Sequence, residues 1–284
     1  MNASQLVSIV ITTYNRSDAL LAVLKGLALQ TDRNFEVIVA DDGSRHEHRR
    51  AIIESHVARN LRVTHVWHPD VGFTASCIRN RGVAASKGEY AIFLDGDCVP
   101  EVDFIAQHRL LAQPGYFVNG SRVLLSPELT NRVLSGTEQI YGRSIWYWIL
   151  QRLRGDASKL SGLLRLPDFP MRVNRAFSWK GIRSCNMGVW RADYERVDGF
   201  DESFVGWGHE DADLVLRLHN SGISRKNGFC STEVFHLWHK VAARDQETEN
   251  AKRVMERSKT NLTQPELGYS HSRPNDAVVI TRLG

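Results

Sequence analysis

Tyr90-Ala91-Ile92-Phe93-Leu94-Asp95-Gly96-Asp97 is an apolar run that ends in two carboxylates one residue apart. Five consecutive apolar residues bounded by polar ones read as a strand buried on both faces. Carboxylates released at the carboxyl end of such a strand are poorly placed for packing. They are well placed to hold a hard divalent cation against something anionic. An isolated Asp-x-Asp triplet is a common turn with solvated carboxylates, so the triplet gains meaning only from its neighbours.

Working outward, the same arrangement recurs. Phe35-Glu36-Val37-Ile38-Val39-Ala40 runs into Asp41-Asp42-Gly43-Ser44, and Val7-Ser8-Ile9-Val10-Ile11-Thr12 runs into Thr13-Tyr14-Asn15-Arg16. Between these strands lie helical patterns. Leu20, Leu21, Leu24 and Leu27 recur at helical spacing behind a cap at Ser17 or Asp18. A polar helix is expected around Glu47 to Ala58, a strand near Arg62 to Trp67, and a helix from Ala75 to Ser86 stopped by Gly88. Alternation of this kind predicts an α/β fold, a mainly parallel sheet with helices on both faces. Ligands of such sheets bind beyond the carboxyl ends of the strands, where all three polar clusters fall.

Farther along, Cys185 to Trp190 reads as a strand and Asp211 to Asn220 as a helix. Leu163 to Ala176, broken by Pro167 and Pro170, reads as an irregular loop. Val133 to Leu153 carries many aromatic and aliphatic residues with Arg143, Arg152 and Arg154 among and after them. It reads either as a core-facing helix or the wall of a binding site, or as a helix resting on an anionic bilayer. Beyond Lys240 the chain turns polar, giving a surface helix to about Lys259 and then a flexible tail.

Composition narrows the classes. With 284 residues, 42% hydrophobic and 24% charged, the chain suits one large soluble domain. A formal charge of +4 permits a phosphate-facing or membrane-facing patch, and no nucleic-acid-binding signature accompanies it. The four cysteines form no C-x-x-C pair, so a reduced, cytosolic chain is the simplest reading. Leu6 to Thr12 reads as a first strand rather than a signal peptide, and no run of about 18 apolar residues predicts a spanning helix. The expected location is cytoplasmic, either free or peripheral on the inner face of a membrane.

Two further clusters, Gly206-Trp207-Gly208-His209-Glu210-Asp211-Ala212-Asp213 and His236-Leu237-Trp238-His239, complete the pattern. With Thr12 to Arg16, Asp41 to Ser44, Arg79-Asn80-Arg81-Gly82, Asp95 to Asp97 and Gly199-Phe200-Asp201-Glu202, they make residues 5 to 240 resemble family 2-type glycosyltransferases of the GT-A fold. The cluster at 206–213 resembles the carboxyl-terminal motif of β-1,4-galactosyltransferases and chondroitin-type polymerases. The resemblance implies transfer of a hexose or N-acetylhexosamine from a UDP-sugar, with inversion, to a hydroxyl of a glycan or lipid-linked glycan acceptor. It also implies a nucleotide-binding half over 1–100, an acceptor-binding half over 101–240 and a tail over 241–284.

The roles follow position by position. Charge builds on the departing UDP, so a cation against the diphosphate is the first need. The resemblance makes Asp97 a direct metal ligand and His239 and His236 its late partners. Asp95 holds the ribose or reaches the metal through water. Nitrogen beside oxygen donors favours Mn²⁺ over Ca²⁺, and Mg²⁺ stays open because relatives have methionine where His236 stands. Thr12, Tyr14, Arg16, Asp41 and Asp42 fall on the uridine side, where a carboxylate can accept the imide N–H that cytosine lacks. Arg79 is expected to approach base or diphosphate, and Asn186 to touch the donor sugar. Trp207 stacks the acceptor, Glu210 binds its hydroxyls and Asp211 is the general base. The plainer account of Glu210, Asp211 and Asp213 is an acidic helix start that complements the dipole, and for Asp213 it is the preferred one. His209 replaces a glycine of the galactosyltransferases. Two rival readings are a nucleotidyltransferase, which should carry a Gly-rich phosphate loop after the first strand, and a non-catalytic UDP-sugar-binding partner.

Overall fold

The computed structural model describes residues 1–160, 163–240, 246–272 and 277–283. The first hundred residues alternate as the apolar runs require. In order they are β1 (Val7–Thr13), α1 (Ser17–Ala28), β2 (Phe35–Asp41), α2 (His46–Ile53), α3 (His56–Asn60), β3 (Val63–Trp67), α4 (Ala75–Ala85) and β4 (Tyr90–Asp95). The single helix expected over 47–58 is two, because Ser55 is extended and accepts the N–H of Ala58 as the cap of α3. Asp18 lies in the first turn of α1, whose cap residue Arg16 contributes no side-chain bond.

The second half is β5 (Cys98–Pro100), α5 (Phe104–Leu111), β6 (Tyr116–Asn119), β7 (Arg122–Leu124), α6 (Pro127–Leu134), α7 (Ile145–Leu153) and β8 (Val173–Asn174). There follow β9 (Asn186–Trp190), α8 (Arg191–Arg196), α9 (Glu210–Asn220), β10 (Ser224–Asn227), β11 (Val234–His236), α10 (Glu247–Arg257) and β12 (Val279–Leu283).

Among the described residues the main sheet has nine strands in the order β12-β3-β2-β1-β4-β9-β6-β10-β8. Strands β3, β2, β1 and β4 are parallel, as expected. The sheet as a whole is mixed, because β9 runs against both β4 and β6. Register sets Thr12 beside Ala40 and Asp95, so the polar clusters emerge at one edge. One apolar cluster lies between the sheet and α1 and continues under α6 and α7; a second packs α4, α8 and α9 on the opposite face. A small sheet, β5-β11-β7, sets β11 against β5 and places His236 opposite Cys98.

The tail departs from expectation. Residues 241–245, 273–276 and 284 lie outside the described residues, but the described part of it is folded onto the domain. β12 pairs antiparallel with β3 and covers the sheet edge. Arg257 of α10 donates to Asp213 at 2.6 Å and to Asp201 at 2.8 Å, both fully buried. Arg217 closes the same network on Asp213 at 2.8 Å. Asp213 is therefore a buried anchor for α10, more than a dipole partner of its own helix.

Candidate active site

Strand ends supply the first residues. Asp95 closes β4, and the turn behind it is fixed by the Gly96 N–H donating to the Thr12 carbonyl at 2.8 Å. Asp97 then faces the small sheet, where its carboxylate lies 3.2 Å from His239 Nε2 and 3.7 Å from His236 Nε2. His239 Nδ1 sits 2.9 Å from the Lys240 carbonyl, a contact that orients the ring with Nε2 toward Asp97. Burial is the main force lowering His236 to about 4, against the pull of Asp97, so that imidazole is neutral and can act as a ligand. One carboxylate and two imidazoles thus converge, a donor set that fits Mn²⁺ or Mg²⁺. Cys98 lies within ligand distance of Asp97 and His236, yet burial and its neighbour Cys185 hold its thiol protonated.

Arg79 joins this lobe to the acidic helix start. From α4 its Nη1 donates to Glu210 at 2.9 Å, its Nη2 reaches Asp95 at 3.4 Å and its Nε donates to Thr12 Oγ1 at 3.1 Å. Only 4% of its surface is exposed. Burial opposes its charge, but Glu210 and Asp95 outweigh burial and raise its pKa. Arg79 is thus drawn inward as a bridge between two carboxylates, and Thr12 is engaged in holding it.

Glu210 and Asp211 open α9, and a left-handed turn aims them. Gly206, Gly208 and His209 have φ of 79°, 105° and 68°. Glycine reaches such angles freely, whereas a histidine there costs about 1–2 kcal/mol. The ring of His209 packs edge-on to Trp179. Trp207 lies in this turn and is half-buried. Asp211 Oδ2 accepts the Ser184 N–H at 3.3 Å. Burial, then the charge of Glu210, raise Asp211 to about 7, with Arg79 working against them. Burial likewise raises Asp95 to about 6.

On the nucleotide side, Tyr14 is 48% exposed and donates to Asp70 at 2.8 Å, leaving its ring face open. Arg16 pairs with Asp18 at the surface, a weak tie that leaves the guanidinium able to reorient. Two expected contacts are corrected. Asp41 is fully buried, with one oxygen accepting the Ser44 N–H and the other 2.9 Å from His65 Nε2, so it shapes the loop and faces no ligand. Asn186 is fully buried as well. Its amide donates to the Ser121 and Thr232 carbonyls and its oxygen meets His108 Nε2, which ties β9 to neighbouring segments and leaves nothing for a donor sugar. Asp42 is nearly as enclosed, held by His68 at 2.8 Å and by the backbone and hydroxyl of Thr74.

Arg122, at the start of β7, was not picked out from the sequence. It is half-buried, its nearest partner is Cys185 Sγ at 3.8 Å, and among the described residues it has no ion pair. Burial opposes its charge, but the polar groups around it, with Asp95 the carboxylate among them, outweigh burial and raise its pKa. The available signal was its place just past Tyr116-Phe117-Val118-Asn119, another apolar run with a polar end.

This fold and this set of strand-end carboxylates define a GT-A glycosyltransferase. The chain belongs to glycosyl transferase family 2, whose model matches residues 8–172. A second model, described as the N-terminal domain of galactosyltransferase, matches residues 171–240. The chain is 32% identical over 237 residues to validoxylamine A glucosyltransferase of Streptomyces hygroscopicus subsp. jinggangensis, covering 77% of this chain and 52% of that protein. It is 29% identical over 239 residues to chondroitin synthase of Escherichia coli, covering 76% of this chain and 32% of that one. The chain thus spans about half or less of the length of these relatives. Among solved structures, GalNAc-T7 with UDP, GalNAc and Mn²⁺ superposes with a TM-score of 0.62 at 15% identity, over 89% of this chain and 48% of that one.

Proposed function

We propose that this chain transfers a hexose or N-acetylhexosamine from a UDP-sugar to a hydroxyl of an acceptor glycan, with inversion. The observation that supports this reading is the Arg79 bridge, which ties Asp95, two residues before Asp97, to Glu210, the neighbour of Asp211. Names of relatives support glycosyl transfer, and two structural neighbours are described with a nucleotide or nucleotide sugar and Mn²⁺.

Asp97, His236 and His239 would hold a divalent cation, which would supply positive charge where the diphosphate leaves. Arg122 adds a second, fixed positive charge on the same side. Asp211 takes the acceptor hydroxyl proton as the oxygen attacks the anomeric carbon, and the electrons of the bond to UDP depart with the diphosphate. A base raised to about 7 is matched to proton transfer at neutral pH. Glu210, held by Arg79, receives acceptor hydroxyls, and Trp207 offers a ring for the sugar face. Tyr14 offers its open ring to the base.

The test is release of UDP from a panel of UDP-sugars, with and without Mn²⁺, for wild type and Asp97→Ala. The reading predicts turnover of one donor that needs both Mn²⁺ and Asp97. Metal-independent turnover equal in the two proteins would contradict it.

A further inference from the structure

α7 is built inside out for a surface helix. Trp148 and Gln151 face inward, and Trp148 stacks on Phe235 of β11 with ring centroids 3.9 Å apart and planes at 12°. The outward positions, which helical spacing puts on one side, are Ile145, Trp146, Ile149, Leu150 and Leu153. Trp146 is 76% and Leu153 80% exposed, and Ile145 and Leu150 are 44% exposed each. An outward face made of aliphatic and indole groups leaves apolar area in water with no compensating polar contact.

The surrounding charge says what covers it. Residues 122–165 hold seven Arg and Lys against three Asp and Glu; Arg122 faces the candidate site and Arg165 is paired with Asp103 at 2.7 Å, so the open positive charge beside α7 is that of its own end. Of the acids, Asp156 is buried against Arg132, and Glu138 is 3.7 Å from Arg143. Arg152 and Arg154, at the end of α7, are exposed and have no ion-pair partner among the described residues. A protein partner would need an apolar groove ringed by acids. A bilayer of anionic lipids offers acyl chains beneath negative headgroups, the order in which α7 presents apolar face and arginines. Trp146 has the amphipathic ring that settles at such an interface.

We infer that the outward face of α7 docks this enzyme on an anionic lipid surface, with Trp146, Leu150 and Leu153 entering the acyl boundary and Arg152 and Arg154 at the headgroups. The helix is about 13 Å long, so it lies in the interface plane and does not cross it. Since Trp148 packs on the strand that carries His236, docking holds the metal lobe near the membrane. This deepens the transfer proposed above, for it favours an acceptor built on a lipid.

Flotation of the full chain with vesicles of phosphatidylcholine, or of phosphatidylcholine with phosphatidylglycerol, tests the inference. Wild type floats with the anionic vesicles only and is released by high salt. Trp146→Glu with Leu153→Glu lowers partition by about tenfold or more, and so does Arg152→Glu with Arg154→Glu. Both variants keep wild-type UDP release from free donor, which shows that they fold. No flotation of wild type, equal flotation of the variants, or a dimer that the Trp146→Glu, Leu153→Glu change dissolves in sedimentation would each overturn it. Failure of UDP release in all three proteins with flotation intact would strike the transfer reading and leave the lipid surface standing.

Discussion

In the proposed reaction the chemistry concentrates in one carboxylate, Asp211. Its folded value, about 7, lies well above that of a free aspartate, with burial the first cause and Glu210 the second. A base must be ionised, so turnover is expected to fall about tenfold per pH unit below 7 and to level above it. Asp211→Asn is expected to cut kcat by about 10²–10⁴-fold while UDP affinity holds, checked by turnover and calorimetry on one preparation. The stability effect has the opposite direction. The folded state binds this proton more tightly than the unfolded chain, so ionised Asp211 destabilises the fold increasingly as pH rises from about 4 to 7. Thermal unfolding of Asp211→Asn should therefore show a raised Tm at pH 8 and none at pH 4. Unchanged turnover in that variant would remove Asp211 as the base.

Among the elements, α9 and α10 are the least independent pair. Asp201, Asp213 and Arg217 are fully buried, and Arg257 is 8% exposed. Burial alone would raise Asp201, but hydrogen bonds from Ser203 and Arg257 outweigh it and hold it at about 2. Arg257→Met takes the shared cation from two buried carboxylates, and a loss of about 3–5 kcal/mol in denaturant unfolding is expected. Because the same network holds the helix that begins at Glu210, turnover should fall with it. An unchanged unfolding midpoint would contradict the anchor. Here the sequence was misleading in a specific way. Val279-Ile280-Thr281-Arg282-Leu283 looks like nothing alone, since a five-residue strand in a polar segment gains its stability only from the edge of β3. Arg257 likewise reads as a surface arginine until the fold brings Asp201 and Asp213 to it across 56 and 44 residues.

For the molecule as a whole, what could be read in advance was what strand periodicity controls. Apolar runs ending in Asp41, Asp95 and Asn15-Arg16 fixed the parallel half of the sheet and the edge where ligands gather. What could not be read was how each polar residue is shared out once the chain closes. Asp41 and Asp95 end neighbouring runs in the same manner, yet His65 encloses the first, while the second keeps a third of its side chain exposed. The bridge from Asp95 through Arg79 to Glu210 spans 131 residues of sequence on its longer side. No local pattern announces it.

The proposed reaction gives the two sides of that bridge separable duties, metal-assisted donor binding at Asp97 and proton removal at Asp211. Calorimetric titration of UDP in the presence of Mn²⁺ into wild type, Asp97→Ala and Asp211→Asn tests the division most directly. Wild type and Asp211→Asn should bind alike, and Asp97→Ala should lose most of the affinity. Equal binding by all three, or loss in Asp211→Asn with Asp97→Ala unaffected, would contradict it.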